Sequence, residues 1–162
     1  MTAGRTPKFR WSNVPIPEPY IAGLLVGMIV DGVHARRLFE SGWFARRLGA
    51  GLIALGLLVI GWALRTIGEA DIERSKTLVT TGPYAFSRNP MYVGWTLLYL
   101  GIASVRNTAW PVAVLPFLSA TSHLVVRREE RVLEHDFGEA YRIYRSEVPR
   151  YLLSEWSRGH AG

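Results

Sequence analysis

The sequence predicts an all-α fold: a polytopic membrane helical bundle of about four transmembrane helices, followed by a C-terminal amphipathic interfacial helix. Hydrophobic residues make up 49% of the 162 residues, and they are concentrated in blocks that carry almost no charge. The blocks cover residues 20–33, 48–64, 91–104 and 108–126. A spanning helix needs about 20 apolar residues, so the second and fourth blocks approach that length and the other two need flanking residues.

A soluble bundle of four buried helices is the alternative fold. Such a bundle needs a polar stripe along each helix, and these blocks lack one. The length of the chain predicts a single domain. We expect an N-terminal tail over residues 1–19, a transmembrane bundle over 20–126 and a cytoplasmic tail over 127–162.

Composition excludes several kinds of site. The chain has no cysteine, which excludes disulfides, thiolate metal ligands and a cysteine nucleophile. The net charge is +6, which in a membrane protein indicates arginines lying against anionic lipid rather than a nucleic-acid site. Four prolines interrupt the first 19 residues, so this segment is not expected to be a cleavable signal peptide.

The distribution of arginines predicts the topology. With four spans both termini share one side, and the loop 65–88 and the arginine-rich tail then face the cytoplasm, as the positive-inside rule favours. Four arginines between the first two blocks then lie on the opposite side, unless the first block does not span. They are Arg36, Arg37, Arg46 and Arg47.

A polar turn leads directly into the third block. The sequence from Thr80 to Gly94 is TTGPYAFSRNPMYVG, in which the Gly82-Pro83 pair marks a turn. Asn89 followed by Pro90 is typical of a helix N-cap and first helical position. In the first block, the Gly23-x-x-x-Gly27 spacing would let another helix approach closely.

The fourth block runs into a charged and aromatic tail. Glu129 and Glu130 follow the apolar residues directly. Beyond them, aromatic and apolar residues recur at spacings of four and three, with charged residues between them, which predicts an amphipathic helix. The recurring residues are Phe137, Tyr141, Tyr144, Val148 and Tyr151.

In this order and spacing, the two segments resemble the signature of the small membrane methyltransferases, the isoprenylcysteine carboxyl methyltransferase and phospholipid methyltransferase group. The resemblance covers roughly residues 78–152, about half of the chain. It implies S-adenosylmethionine as the cofactor, held near the cytoplasmic membrane surface. Position 89 is commonly His in the carboxyl methyltransferase branch, so Asn89 departs from that pattern and counts against a prenylcysteine substrate.

The resemblance implies Arg88 and Glu130 as catalytic residues. It implies cofactor binding by Tyr84, Arg88, Asn89, Pro90, Tyr92, Gly94, Glu129, Glu130 and Tyr141. The chemistry of the cofactor is compatible with these side chains: its sulfonium suits aromatic faces, and its ammonium suits a carboxylate. Its carboxylate suits Arg88 or the backbone amides after Pro90.

Each of these residues also has a purely structural interpretation. The two glutamates lie among arginines and could form a surface charge cluster. Asn89 could serve only as a helix cap, Arg88 as an anchor to lipid phosphate, and Gly94 as a point of close helix packing. Tyr141 and Tyr144 could be structural.

Two ionisable residues lie within apolar blocks, where charged groups are costly and raise the hypothesis of a function. Asp31 is near the end of the first block, close enough to the interface to be solvated. His123 precedes Glu130 by two helical turns, so the two share a helix face. No further metal ligands accompany them, so no metal site is expected.

The sequence therefore predicts a multi-pass membrane methyltransferase that uses S-adenosylmethionine. The acceptor is lipophilic, either the carboxylate of an isoprenylcysteine-like substrate or a lipid amine or small molecule. Membrane lipids and this acceptor are the expected partners, and neither nucleic acid nor metal is expected. Two alternatives stay open: a sterol-type membrane reductase that uses NADPH, and a non-catalytic membrane module of the same fold.

Overall fold

The computed structural model describes residues 18–69 and 78–152. Within them the chain forms five α-helices and no strand, which confirms the all-α class. The helices are α1 Glu18–Val33, α2 Gly42–Glu69, α3 Pro90–Arg106, α4 Trp110–Phe137 and α5 Glu139–Glu147, with a 3₁₀ turn at Gly82–Ala85. The predicted N-terminal tail up to residue 17 and the last part of the predicted tail, residues 153–162, lie outside the described residues.

Each apolar block forms the greater part of its own helix. α4 continues for three turns beyond its apolar block and ends at Gly138, whose φ of 54° lies in the left-handed region. This break divides the predicted C-terminal amphipathic helix, because Phe137 falls at the end of α4. The helix is confirmed only over Glu139–Glu147, where α5 ends shortly before Pro149.

Glycines allow α2 and α3 to pack closely as an antiparallel pair. A Cβ atom added to Gly56 would lie 2.8 Å from the carbonyl oxygen of Gly94. One added to Gly49 would lie 2.6 Å from the carbonyl oxygen of Gly101. Gly49 and Gly56 are seven residues apart on α2, as are Gly94 and Gly101 on α3. Seven residues make two helical turns, so the two glycines of each helix lie on one face.

α1 packs against α4 in the same way. A Cβ atom on Gly23 would meet the side chain of Leu118, and one on Gly27 would lie 2.7 Å from the backbone nitrogen of Pro111. The close helix approach expected from the Gly23-x-x-x-Gly27 spacing is therefore confirmed. Tyr20 joins this pair to α3 through an edge-to-face contact with Tyr99, with ring centroids 5.9 Å apart.

One helix among the described residues, α2, is long and apolar enough to cross a membrane. Its candidate span, Gly42–Gly68, has 27 residues, and only 17% of its most apolar window is buried. α1 and α3 have 16 and 17 residues, short of the roughly 20 required. The first part of α4 is apolar, but its second half carries arginines and glutamates. The expected bundle of four spans is therefore not confirmed.

At the end of the bundle where α1 and α3 end, Asn107 binds the loop between α1 and α2. Its side chain accepts a hydrogen bond from the Phe39 amide at 2.9 Å and donates one to the Phe39 carbonyl at 3.0 Å. Asp31 accepts a hydrogen bond from the Arg36 amide in the same region. Asp31 thus binds the backbone of the loop after α1, and it lies at the opposite end of the bundle from Glu130.

Candidate functional site

The turn before α3 has the predicted form. Gly82 has a φ of 60°, Pro83 is buried, and Pro90 occupies the first turn of α3 with Asn89 as its N-cap residue. The side chain of Asn89, however, makes no capping hydrogen bond. Its amide nitrogen instead donates to the carbonyl of Arg150, at 3.3 Å.

Three consecutive residues of this turn hold the segment that follows α5. The backbone amide of Arg88 donates to the carbonyl of Pro149 at 2.9 Å. The hydroxyl of Ser87 donates to the carbonyl of Arg150 at 3.1 Å, beside the hydrogen bond from Asn89. The two regions singled out in the sequence are therefore joined through the backbone of residues 149–150.

A buried ion-pair cluster lies at this junction. Glu130 and Arg88 are 6% and 7% exposed, and Nη2 of Arg88 lies 3.2 Å from Oε1 of Glu130. The Arg150 guanidinium binds the same carboxylate, with Nε at 3.0 Å from both oxygens and Nη2 at 2.7 Å from Oε2. Nη1 of Arg88 also donates to the carbonyl of Arg145 at 3.0 Å. The structure thus brings Arg88 and Glu130 together, and it adds Arg150.

Glu129 and Glu130 have different surroundings although they are adjacent. Glu130 points inward, whereas Glu129 is exposed. Adjacent residues on a helix point about 100° apart, so only one of the two faces the protein. The hydroxyl of Tyr92 donates a long hydrogen bond of 3.4 Å to Glu129. The protein around Glu129 still removes enough water to raise the pKa of its carboxyl, an effect that the bond from Tyr92 opposes.

A cavity of about 480 Å³ lies beside Tyr92, between α1, α3, α4 and the segment after α5. The imidazole of His123 lies 6.1 Å from the ring of Tyr151, the residue that follows Arg150. The ion-pair cluster therefore fixes one wall of the cavity. The lining residues are Tyr20, Tyr92, Val93, Thr96, Leu97, Ser119, Ser122, His123, Tyr151 and Leu152.

The aromatic face of α5 packs on the protein. Tyr141, Tyr144 and Val148 form a buried cluster with Leu78, Leu133 and Phe137. Tyr144 donates a hydrogen bond of 2.7 Å to the carbonyl of Tyr84 in the turn before α3. The hydroxyl of Tyr141 is buried and has no hydrogen-bond partner among the described residues. Burial raises the pKa of Tyr84 and of Tyr141 to about 12, and the Glu130 carboxylate adds to the effect on Tyr141.

Gly94 lies away from these groups. A Cβ atom there would lie 2.6 Å from Cγ1 of Ile60 in α2. Tyr92 and Gly94 are two residues apart on a helix, which turns them by about 200° relative to each other. The position of Gly94 is accounted for by packing against α2.

Sequence reasoning did not single out Arg150, although it completes the buried cluster. No local signal in the sequence marks Arg150, since its partner Glu130 lies 20 residues away in the chain. Ser122 was also missed. No group of three or more histidine, aspartate or glutamate side chains within residues 18–69 and 78–152 is arranged to hold a metal ion.

A family model matches the greater part of this chain. The model is described as phospholipid methyltransferase, and it matches residues 44–140. The match includes both the turn before α3 and the two glutamates of α4. No solved structure matches the chain.

Several curated proteins are similar in sequence. A cobalt-zinc-cadmium resistance protein, CzcN of Cupriavidus metallidurans, is 32% identical over 77% of this chain and 60% of its own length. The protein-S-isoprenylcysteine O-methyltransferase of Xenopus laevis is 33% identical over 59% of this chain and 34% of its own. The human protein of that name is 37% identical over 47% and 27%. The chain thus spans 60% or less of the length of these relatives.

Proposed function

Because the chain belongs to the phospholipid methyltransferase family, we propose that it is a multi-pass membrane methyltransferase that uses S-adenosylmethionine and methylates a lipophilic acceptor. One observation carries this proposal. The turn before α3 and the glutamates of α4, both within the family match, meet at a buried ion-pair cluster beside a largely apolar cavity. Such a cavity with a few polar groups is typical of a small-molecule site.

The surface of the helices supports a membrane location. Large apolar side chains are exposed along α1, α2 and α4, where a soluble bundle would carry a polar stripe. They include Ile21, Leu25, Ile29, Leu55, Leu58, Trp62, Phe117 and Leu124. We propose that all of 1–162 forms one membrane domain, with the tail after residue 126 and the ion-pair cluster on the cytoplasmic side. α5 then lies at the interface.

The residues around Tyr92 fit the charged groups of S-adenosylmethionine. The Glu129 carboxylate is exposed and binds no arginine in the described contacts, so it suits the ammonium of the cofactor. The face of Tyr92 suits the sulfonium, whereas Tyr84 packs beside Ile60 and Met91 on the side of α2. The first amides of α3 after Pro90 are not capped by Asn89 and suit the carboxylate.

The resemblance implied Arg88 and Glu130 as catalytic residues, but in this proposal the buried cluster has a positioning role. Since Glu130 already binds Arg88 and Arg150, it positions the turn before α3 against the segment that carries Tyr151. When bound, S-adenosylmethionine supplies a methyl group on a sulfonium, from which a neutral thioether leaves. The protein contributes mainly by holding the acceptor and the methyl group in line.

Ligand-dependent stability of the detergent-solubilised protein tests this proposal. S-adenosylhomocysteine is expected to raise the Tm, because a ligand at a hundredfold excess over its Kd stabilises the folded state by about 2.7 kcal/mol. NADPH is expected to leave the Tm unchanged. A shift with NADPH alone would favour the sterol-type reductase, and no shift with either ligand would favour the non-catalytic module.

A further inference from the structure

We infer that the cavity beside Tyr92 binds a lipophilic alcohol or phenol with its hydroxyl at Ser122 and His123, so that the methyl acceptor is a neutral hydroxyl. This inference rests on the proposed function, because it assigns the acceptor of that reaction. The apolar part of the ligand would lie against side chains such as Val93 and Leu97, which also line the cavity.

Among the described residues, the charges around the cavity disfavour an anionic head group. No lysine or arginine is among the lining residues that the structure describes. The guanidinium groups of Arg88 and Arg150 at this end of the protein are directed to Glu130. A carboxylate or phosphate buried in the cavity would therefore lose its hydration without gaining a cationic partner.

The polar groups of the cavity favour a ligand that both donates and accepts hydrogen bonds. Tyr20 and Thr96 satisfy one another at 3.0 Å, and Thr96 also donates to the carbonyl of Tyr92. The hydroxyl of Ser122, by contrast, is buried and has no partner among the described residues. Rotation of the Ser122 side chain about χ1 would bring this hydroxyl to the cavity, where a ligand hydroxyl would supply its partner, since buried polar groups are normally hydrogen-bonded.

His123 gives a hydroxyl acceptor a route for its proton. A carboxylate attacks as it stands, whereas a hydroxyl must lose a proton as it is methylated. The hydroxyl oxygen takes the methyl group, the electron pair of the broken sulfur–methyl bond stays on sulfur, and the proton passes to the imidazole of His123. Histidine is the side chain suited to accept a proton near neutral pH.

Photocrosslinking in lipid nanodiscs tests the head-group preference. The probe is a photoreactive twelve-carbon alcohol, and the labelled peptide is mapped by mass spectrometry. We expect labelling of the peptide that contains Ser122, and competition by dodecanol at a concentration about tenfold lower than dodecanoate or dodecylamine requires. Equal or better competition by the carboxylate or the amine would overturn the inference, as would labelling outside the cavity.

A pair of variants makes the test specific to the site. Ser122→Ala should weaken competition by dodecanol about tenfold, and removal of an unsatisfied hydroxyl should not impair folding. Thr121→Ala is the matched control, because the Thr121 hydroxyl is bound to the carbonyl of Leu118 and Thr121 does not line the cavity. Equal responses of the two variants would overturn the inference.

Stabilisation by S-adenosylhomocysteine is measured on the same preparation and separates the two proposals. A Tm increase together with no preference for the alcohol would reject a hydroxyl acceptor and leave the methyltransferase proposal standing. Specific labelling by the alcohol without any Tm increase would reject the methyltransferase and keep the alcohol site.

Discussion

The carboxylate of Glu130 receives the guanidinium of Arg150 in a bidentate ion pair, with Nη2 at 2.7 Å from Oε2. The two residues are 20 positions apart, and their contact ties α4 to the segment after α5. Tyr151, next in the chain, then lies against His123 in the cavity wall. The geometry of the cavity therefore depends on an ion pair that does not itself line it.

Glu130→Gln is predicted to destabilise the protein. The substitution leaves the buried guanidinium of Arg88 and the partly buried guanidinium of Arg150 without their carboxylate. Breaking a buried pair by removing one partner costs on the order of 3 kcal/mol. Thermal or denaturant unfolding of the solubilised protein measures the effect.

Glu134→Gln is the control for that loss. Glu134 also binds two arginines, Arg142 and Arg145, but all three side chains are partly exposed. Surface pairs of this kind contribute at most about 1 kcal/mol. Equal losses from the two substitutions would show that the buried position of Glu130 has no special importance.

Glu129→Gln is predicted to weaken cofactor binding without destabilising the fold. Removing the charge that suits the cofactor ammonium costs about 1.5–3 kcal/mol, so the affinity for S-adenosylhomocysteine should fall roughly tenfold to a hundredfold. Because the surrounding protein raises the pKa of Glu129, its charged form is disfavoured in the fold, and neutralising it should not lower stability near pH 7. Isothermal calorimetry measures the affinity.

The same raised pKa gives this prediction a pH dependence. Protonation of Glu129 as the pH falls through its folded pKa removes the charge, so S-adenosylhomocysteine affinity should decrease on the acid side in the native protein. The Glu129→Gln variant should lack that decrease. An unchanged affinity in the variant at neutral pH would assign the ammonium to another group.

The sequence predicted the local features of this site better than the way they combine. The turn at Gly82-Pro83 and the start of α3 at Pro90 follow from local rules on turns and caps. Whether Asn89 caps α3 could not be predicted, because its side chain instead bonds to a carbonyl 61 residues away.

Arg150 was missed for the same reason, because its partner Glu130 is distant in the sequence. An arginine in a tail rich in arginines has no local mark that distinguishes it. Its contact with Glu130 results from the break at Gly138, which sends α5 back toward the turn before α3. Gly94 illustrates the same limit, since only the position of Ile60 in α2 shows which face of α3 the glycine occupies.

Two tyrosines of α5 are predicted to respond differently to loss of the hydroxyl. Tyr144→Phe removes the hydrogen bond to the carbonyl of Tyr84 and leaves that carbonyl unsatisfied, so it should cost about 1 kcal/mol of stability. Tyr141→Phe removes a buried hydroxyl without a partner in the described chain and should be neutral or stabilising. Thermal unfolding compares the two variants.

S-adenosylhomocysteine binding to the same variants tests the expectation that Tyr141 contacts the cofactor. If its hydroxyl contacts the cofactor, Tyr141→Phe lowers the affinity while the protein without ligand keeps its stability. An unchanged affinity would assign Tyr141 a packing role only.

Gly56→Ala is predicted to separate α2 from α3. The added Cβ would lie 2.8 Å from the carbonyl oxygen of Gly94 and 2.9 Å from the amide nitrogen of Leu98. Both are backbone atoms, which cannot rotate away, so the helices must move apart, at a cost of about 1–3 kcal/mol.

Gly51→Ala on the same helix has no atom within 4 Å and should stabilise the protein by about 0.5–1 kcal/mol through better helix propensity. Thermal unfolding of both variants in one detergent gives the comparison. Similar Tm values would mean that α2 and α3 are not in close backbone contact in the membrane protein.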